Sequence, residues 1–80
     1  MITPTQSRMA RAALGWSLQR LATEADLGIA TISRFEVARS ATNRTTLSRI
    51  RRTYEAAGVR FMEDGCVCPP PEAETPGEAA

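Results

Sequence analysis

The cationic chemistry of this 80-residue chain is carried by one side chain: all ten of its basic residues are arginine, and all lie between Arg8 and Arg60. A guanidinium is planar and stays charged at any physiological pH. Its fork of N–H donors fits a phosphate, or the edge of a guanine, two bonds at a time. Residues 1–60 set the ten arginines against four acids, Glu24, Asp26, Glu36 and Glu55, whereas residues 61–80 hold five acids, Glu63, Asp64, Glu72, Glu74 and Glu78, and no base. A basic body with an acidic end suits a domain that binds a polyanion, the end being able to tune its affinity. The chain has no histidine, which removes imidazole acid–base catalysis and the His ligands of zinc fingers. Its two cysteines share one Cys66-Val67-Cys68 segment, too few for a disulfide framework, so free thiols are expected. With no Gly-rich phosphate loop and no cluster of metal-ligating residues, neither an enzyme nor a cofactor nor a metal site is expected.

These arginines need a scaffold, and the pattern for it is helical. Thr3-Pro4-Thr5-Gln6 reads as a helix start: Thr3 can cap, proline suits the first helical position, and Gln6 completes a capping box. Met9, Ala12, Ala13 and Trp16 then fall at i, i+3, i+4, i+7, with Gly15 suited to end the helix and Trp16 expected in the core. Ser17 is a good cap for a second helix whose apolar face is Leu18, Leu21, Ala22 and Ala25. Asp26-Leu27-Gly28 breaks the period with two turn formers around a leucine. In the third helix Ile32 and Phe35 share one face, with Thr31, Ser33 and Arg34 off it. Two short helices joined by so tight a turn make a helix-turn-helix unit.

Residues 37–44 read as a polar connecting loop. A fourth helix is expected from about Thr45 to Ala57, with Leu47, Ile50, Tyr54 and Ala57 inward, Arg49, Arg51 and Arg52 off that face, and Gly58 ending it. Arg20 with Glu24, and Arg51 with Glu55, are spaced as weak surface pairs. Val59 to Glu63 alternates apolar and polar, the pattern of a strand. A lone strand leaves backbone groups unpaired, so it is expected either to pair with its copy in a second subunit or to pack Val59 and Phe61 back on the core. Residues 65–80, polar and proline-rich, are expected to form a disordered tail after a domain of residues 1–64. No apolar run reaches the ~20 residues of a membrane span, and the start, MITPTQSR, does not read as a signal peptide.

The segment Gly15-Trp16-Ser17, Leu21-Ala22, Ala25, Leu27 and Thr31-Ile32-Ser33-Arg34-Phe35-Glu36 resembles the lambda-repressor/Cro-like helix-turn-helix family, often called the XRE family; the resemblance covers about residues 4–61. It implies an all-α fold, a four- to five-helix bundle with a short C-terminal β-strand. It also implies a cytoplasmic, nucleoid-associated transcriptional regulator that binds double-stranded DNA, usually as a homodimer, with a recognition helix at about residues 28–37 in the major groove. By that resemblance Ile29, Ala30 and Arg34 align with base-reading positions, and Thr31 and Ser33 lie near the backbone or base edges. Ser17, Gln19, Gly28, Arg39, Asn43 and Arg44 are candidate contacts to the DNA backbone. Arg11 and Glu36 match a basic–acidic pair that in some relatives is partly buried between helices.

The chain departs from the family pattern at several polar positions. Leu18 stands where a glutamine usually follows the cap, and Gln19 comes one step later, about 100° around the helix. Gly28 replaces a Ser or Thr cap, Val37 a basic residue, and Ala38 a Gly or Asn. Ile29 and Ala30 can touch only apolar features such as the thymine methyl, which leaves Arg34 most of the direct readout. A second use of the same fold, as an antitoxin-like module that binds a toxin or other protein and autoregulates, is also compatible with these residues.

Overall fold

The computed structural model describes residues 2–38 and 43–70. Four helices appear, α1 (Pro4–Leu14), α2 (Leu18–Ala25), α3 (Ile29–Ala38) and α4 (Arg44–Ala56), followed by two short strands, β1 (Arg60–Phe61) and β2 (Val67–Cys68). The expected all-α fold is therefore present with four helices, and its third helix runs through Ala38 instead of ending in a loop at Val37. Among the described residues, no helix is long and apolar enough to cross a membrane.

The helix starts follow capping chemistry. Thr3 accepts from the Gln6 backbone N–H while Gln6 Oε1 accepts from the Thr3 N–H, a complete capping box, with Pro4 as first helical residue. Ser17 Oγ accepts from the Arg20 N–H, and Asn43 Oδ1 from the Thr46 N–H. The helix ends share one geometry. At α1, α2 and α4 a residue with positive φ (Gly15 at 70°, Asp26 at 58°, Gly58 at 100°) donates to a carbonyl three residues back. The next residue then donates to a carbonyl five back: Trp16 to Arg11, Leu27 to Ala22 and Val59 to Tyr54. This paired closure satisfies orphan carbonyls and aims the following apolar residue at the helix just ended. Val59 is buried, and Trp16 and Leu27 pack half-buried against the core.

The core consists of Ile2, Ala10, Leu21, Ala22, Ala25, Ile32, Phe35, Ile50, Tyr54 and Val59. Helix α1 contributes to it differently from the sequence pattern. Its inward residues are Ser7 and Ala10, with Leu14 half-buried, while Met9 and Ala12 are exposed. The apolar period picked a neighbouring stripe because one inward position holds a serine. Trp16 lies with its ring centroid 5.9 Å from that of Tyr54, and the Arg20 guanidinium sits 5.1 Å from the centre of the Trp16 ring.

The C-terminal end differs most from expectation. Strand β1 pairs antiparallel with β2 of the same chain, Arg60 opposite Cys68 and Phe61 opposite Val67. Its backbone groups thus find partners within the chain, and Val59 and Phe61 pack back on the core. The boundary drawn at residues 64/65 falls inside this hairpin. Gln6 Nε2 donates to the Gly65 carbonyl across it, Val67 packs on the core, and Pro70 is buried. The folded unit continues at least through Pro70, and residues 71–80 of the expected tail lie outside the described residues.

Gly58 hooks this hairpin to α4. A Cβ there would come within 2.7 Å of Pro70 Cβ, whereas one on Gly15 would meet nothing within 4 Å, and both glycines have positive φ. Gly15→Ala should therefore cost only the left-handed backbone strain, about 1 kcal/mol. Gly58→Ala should cost measurably more, because Pro70 must also move. Urea denaturation of the two variants checks this, and equal losses would mean that the hairpin does not press on Gly58.

Candidate nucleic-acid interface

The rotation of α3 is set by a polar cluster under it. Glu36 is 4 % exposed, on the same side of α3 as Ile32 and Phe35. Arg11 of α1 meets its carboxylate with two donors, Nε to Oε2 at 3.0 Å and Nη2 to Oε1 at 2.8 Å, and sends Nη1 to the Trp16 carbonyl. Ser7 Oγ donates to Glu36 Oε2 at 2.6 Å. That bond uses the only hydroxyl hydrogen of Ser7, so Tyr54 is the donor between them, its single O–H shared between Ser7 Oγ at 2.9 Å and the Ser7 carbonyl oxygen at 3.0 Å. Arg8 Nη1 caps the other side, donating to the Glu36 carbonyl. Among the described residues no buried side-chain polar atom is left without a partner.

The charges answer to this arrangement. The Glu36 bond holds the Arg11 guanidinium above its ordinary range, against the opposing effect of burial. Burial pushes the Tyr54 phenol up to about 12, and the nearby Glu36 charge adds to the shift.

With Ile32, Phe35 and Glu36 inward, a step of 100° per residue turns Ala30, Arg34 and Val37 to the other side and puts Ser33 at the edge, whereas Ile29 falls on the Glu36 side and is exposed as the first residue of the helix. Ile29, Ala30 and Arg34 are exposed and Ser33 half-buried, with Thr31 half-buried at the edge. Val37, assigned to the loop by the sequence pattern, is 75 % exposed one turn beyond Ser33. The i, i+4, i+8 spacing of Ile29, Ser33 and Val37 was the signal for it. Gly28 starts α3 with its carbonyl alone, accepting from the Thr31 and Ile32 N–H groups.

The other candidate positions divide between capping and exposure. Ser17 caps α2 and is exposed, and Gln19 is exposed in the first turn of that helix. Asn43 spends Oδ1 on capping α4, which leaves its amide N–H₂ for any outside contact. Arg44 is exposed in the first turn of α4, and Arg39 lies outside the described residues. Arg44 is also one wall of a groove between α2 and α4, lined in addition by Trp16, Arg20, Glu24, Arg49 and Arg52. Four arginines there face one glutamate. Sequence spacing marked them as off the core but could not bring two helices together.

At the hairpin, Cys66 is an exposed free thiol whose pKa is raised by a hydrogen bond to Asp64, and Cys68 is free and half-buried. A thiol held protonated is a poor nucleophile and a poor metal ligand.

A fold of this kind, with a short capped helix, a tight turn and a third helix open on one side, defines a helix-turn-helix domain. The helix-turn-helix family model matches residues 8–56, and the chain belongs to that family, of Cro/CI (XRE) type. Domains of this family are DNA-binding and regulatory, not typically enzymatic. No curated protein and no solved structure matches the chain significantly.

Two outcomes test the polar cluster. Arg11→Ala strands a buried carboxylate and should cost about 3 kcal/mol or more, whereas replacing both members by apolar residues, Arg11→Met with Glu36→Leu, should recover most of the loss. Thermal and urea unfolding of the single and double variants decide it. Tyr54 is the only tyrosine, so its phenolate absorbance reads that group alone. Its folded pKa lies above the unfolded value near 10. The resulting contribution to stability is complete below about pH 10 and lost as pH rises toward 12. Tyr54→Phe should flatten stability over that window, and a phenolate midpoint near 10 in the folded protein would contradict the burial argument.

Proposed function

We propose that this domain binds double-stranded DNA sequence-specifically as a small transcriptional regulator, with α3 in the major groove. One observation carries this: Ile32, Phe35 and Glu36 lock one side of α3 to the bundle, while Ala30, Arg34 and Val37 are exposed on the opposite side, Ile29 is exposed in the first turn and Ser33 lies half-buried at the edge. Arg34 reads guanine by a bidentate bond, and Ile29, Ala30 and Val37 offer surfaces to thymine methyls. Ser17, Gln19, Thr31, Asn43, Arg44 and Arg39 make contacts to the backbone, which position the helix and carry no sequence information. Gly28 lets the start of α3 approach a phosphate with no side chain between. Neutralised phosphates release counterions, so affinity falls with salt.

A two-fold homodimer would place two α3 helices about one DNA turn apart on a near-palindromic site. Such a protein works in the cytoplasm, at the nucleoid. With one cation on the reading face, specificity leans partly on DNA shape and deformability.

A second reading is favoured by the same face. Ile29, 45 % exposed, and Val37, 75 % exposed, make it more apolar than phosphate or base-edge contact needs. An antitoxin-like module would use it, or a neighbouring surface, against a protein partner and bind DNA for autoregulation. Co-purification of a stoichiometric partner from cells separates this from a free regulator.

The decisive titration measures fluorescence polarisation with the chain's own upstream DNA and a scrambled duplex, at two salt concentrations. Arg34→Ala should lose about 1–3 kcal/mol of preference for the site while retaining most of the salt dependence. If Arg34→Ala discriminates like the parent protein, α3 is not the reader.

A further inference from the structure

We propose that the acidic segment of residues 71–80 docks into the arginine-lined groove between α2 and α4, and so competes with DNA for Arg44. The competition rests on the DNA-binding reading above; the docking does not.

The length of the chain allows it. Pro70, the last described residue, is buried against Gly58, and Gly58 comes directly after Ala56 and Ala57, which line the C-terminal end of the groove. The described chain therefore ends beside the C-terminus of α4. Helix α4 has 13 residues, which at 1.5 Å each is about 20 Å of wall. Ten extended residues span up to ~33–36 Å, enough to pass Arg52 and Arg49 and reach Arg44 at the far end.

The charges are complementary. The groove sets Arg20, Arg44, Arg49 and Arg52 against Glu24 alone, and the segment carries Glu72, Glu74 and Glu78 with no base. Its prolines, Pro71 and Pro76, favour an extended or polyproline-like path. Arg20 is held over the Trp16 ring and bonded to Glu24, so one cation of the groove is already fixed in place. Arg44 belongs both to this groove and to the candidate phosphate contacts. Occupying it with a carboxylate withdraws it from DNA.

The test uses the full chain and its triple variant Glu72→Gln, Glu74→Gln, Glu78→Gln, compared by amide NMR shifts without DNA. Docking predicts shift changes at Trp16 and along Arg44 to Ala57, which shrink as salt is raised. Changes confined to residues beyond Pro70, or falling on the outer face of α3, overturn it. In the DNA titration the triple variant should bind a short random duplex about threefold to tenfold more tightly at low salt, and converge with the parent protein at high salt. In an Arg49→Gln, Arg52→Gln background the same neutralisation should change affinity by less than about twofold. An undiminished gain there would mean that the segment acts by general repulsion, and would overturn the groove as its site. Groove shifts in a protein that binds no duplex in either form would support the docking and reject the DNA-binding reading.

Discussion

A single carboxylate, that of Glu36, ties the bundle together. It takes two guanidinium donors from α1 and a serine hydroxyl from the same helix, and through that serine it is linked to Tyr54 of α4. Three helices are thus fixed against one another by groups that cannot slide, because each bond needs its own direction and distance. An ion pair in so dry a place adds little net stability, since both charges gave up water to enter it. Its effect is on orientation. Turn α3 by one residue and Glu36 swings out by 100°, Arg11 loses its partner, and Ile32 leaves the core.

That constraint explains why a sparse outer face can still serve as an interface. The side of α3 opposite Glu36 is held rigid from below, so Arg34 and its neighbours need no packing of their own to keep their positions. Rigid placement of a few groups favours recognition, because less conformational entropy is lost when a partner is met. The aromatic column beside the cluster extends the same rigidity. Trp16 stacks on Tyr54, and Tyr54 lies 6.2 Å from Phe61, so the phenol joins the polar centre to the hairpin through its ring.

The hairpin lengthens the folded unit. By closing β1 on β2 within one chain it satisfies an edge that would otherwise invite another strand. By seating Pro70 on Gly58 it packs the last described residue against the end of α4.

Local chemistry was legible from the residues alone. Thr3, Ser17, Gly15 and Gly58 mark helix boundaries because caps and left-handed turns depend on one or two residues and their own backbone. The pairing of Arg11 with Glu36 was suggested only by likeness to a family. Other features needed the folded chain. Ser7 looked like a surface serine, and only the approach of Glu36 and Tyr54, 29 and 47 residues away in sequence, makes it an inward residue. Val37 looked like loop until α3 ran past it. β2 carries too few residues for an alternating pattern and exists because β1 offers it a partner. The groove between α2 and α4 likewise belongs to no single segment. A sequence records what each stretch prefers by itself, whereas burial and pairing are set by the stretch that arrives opposite, and that is decided only when the chain closes.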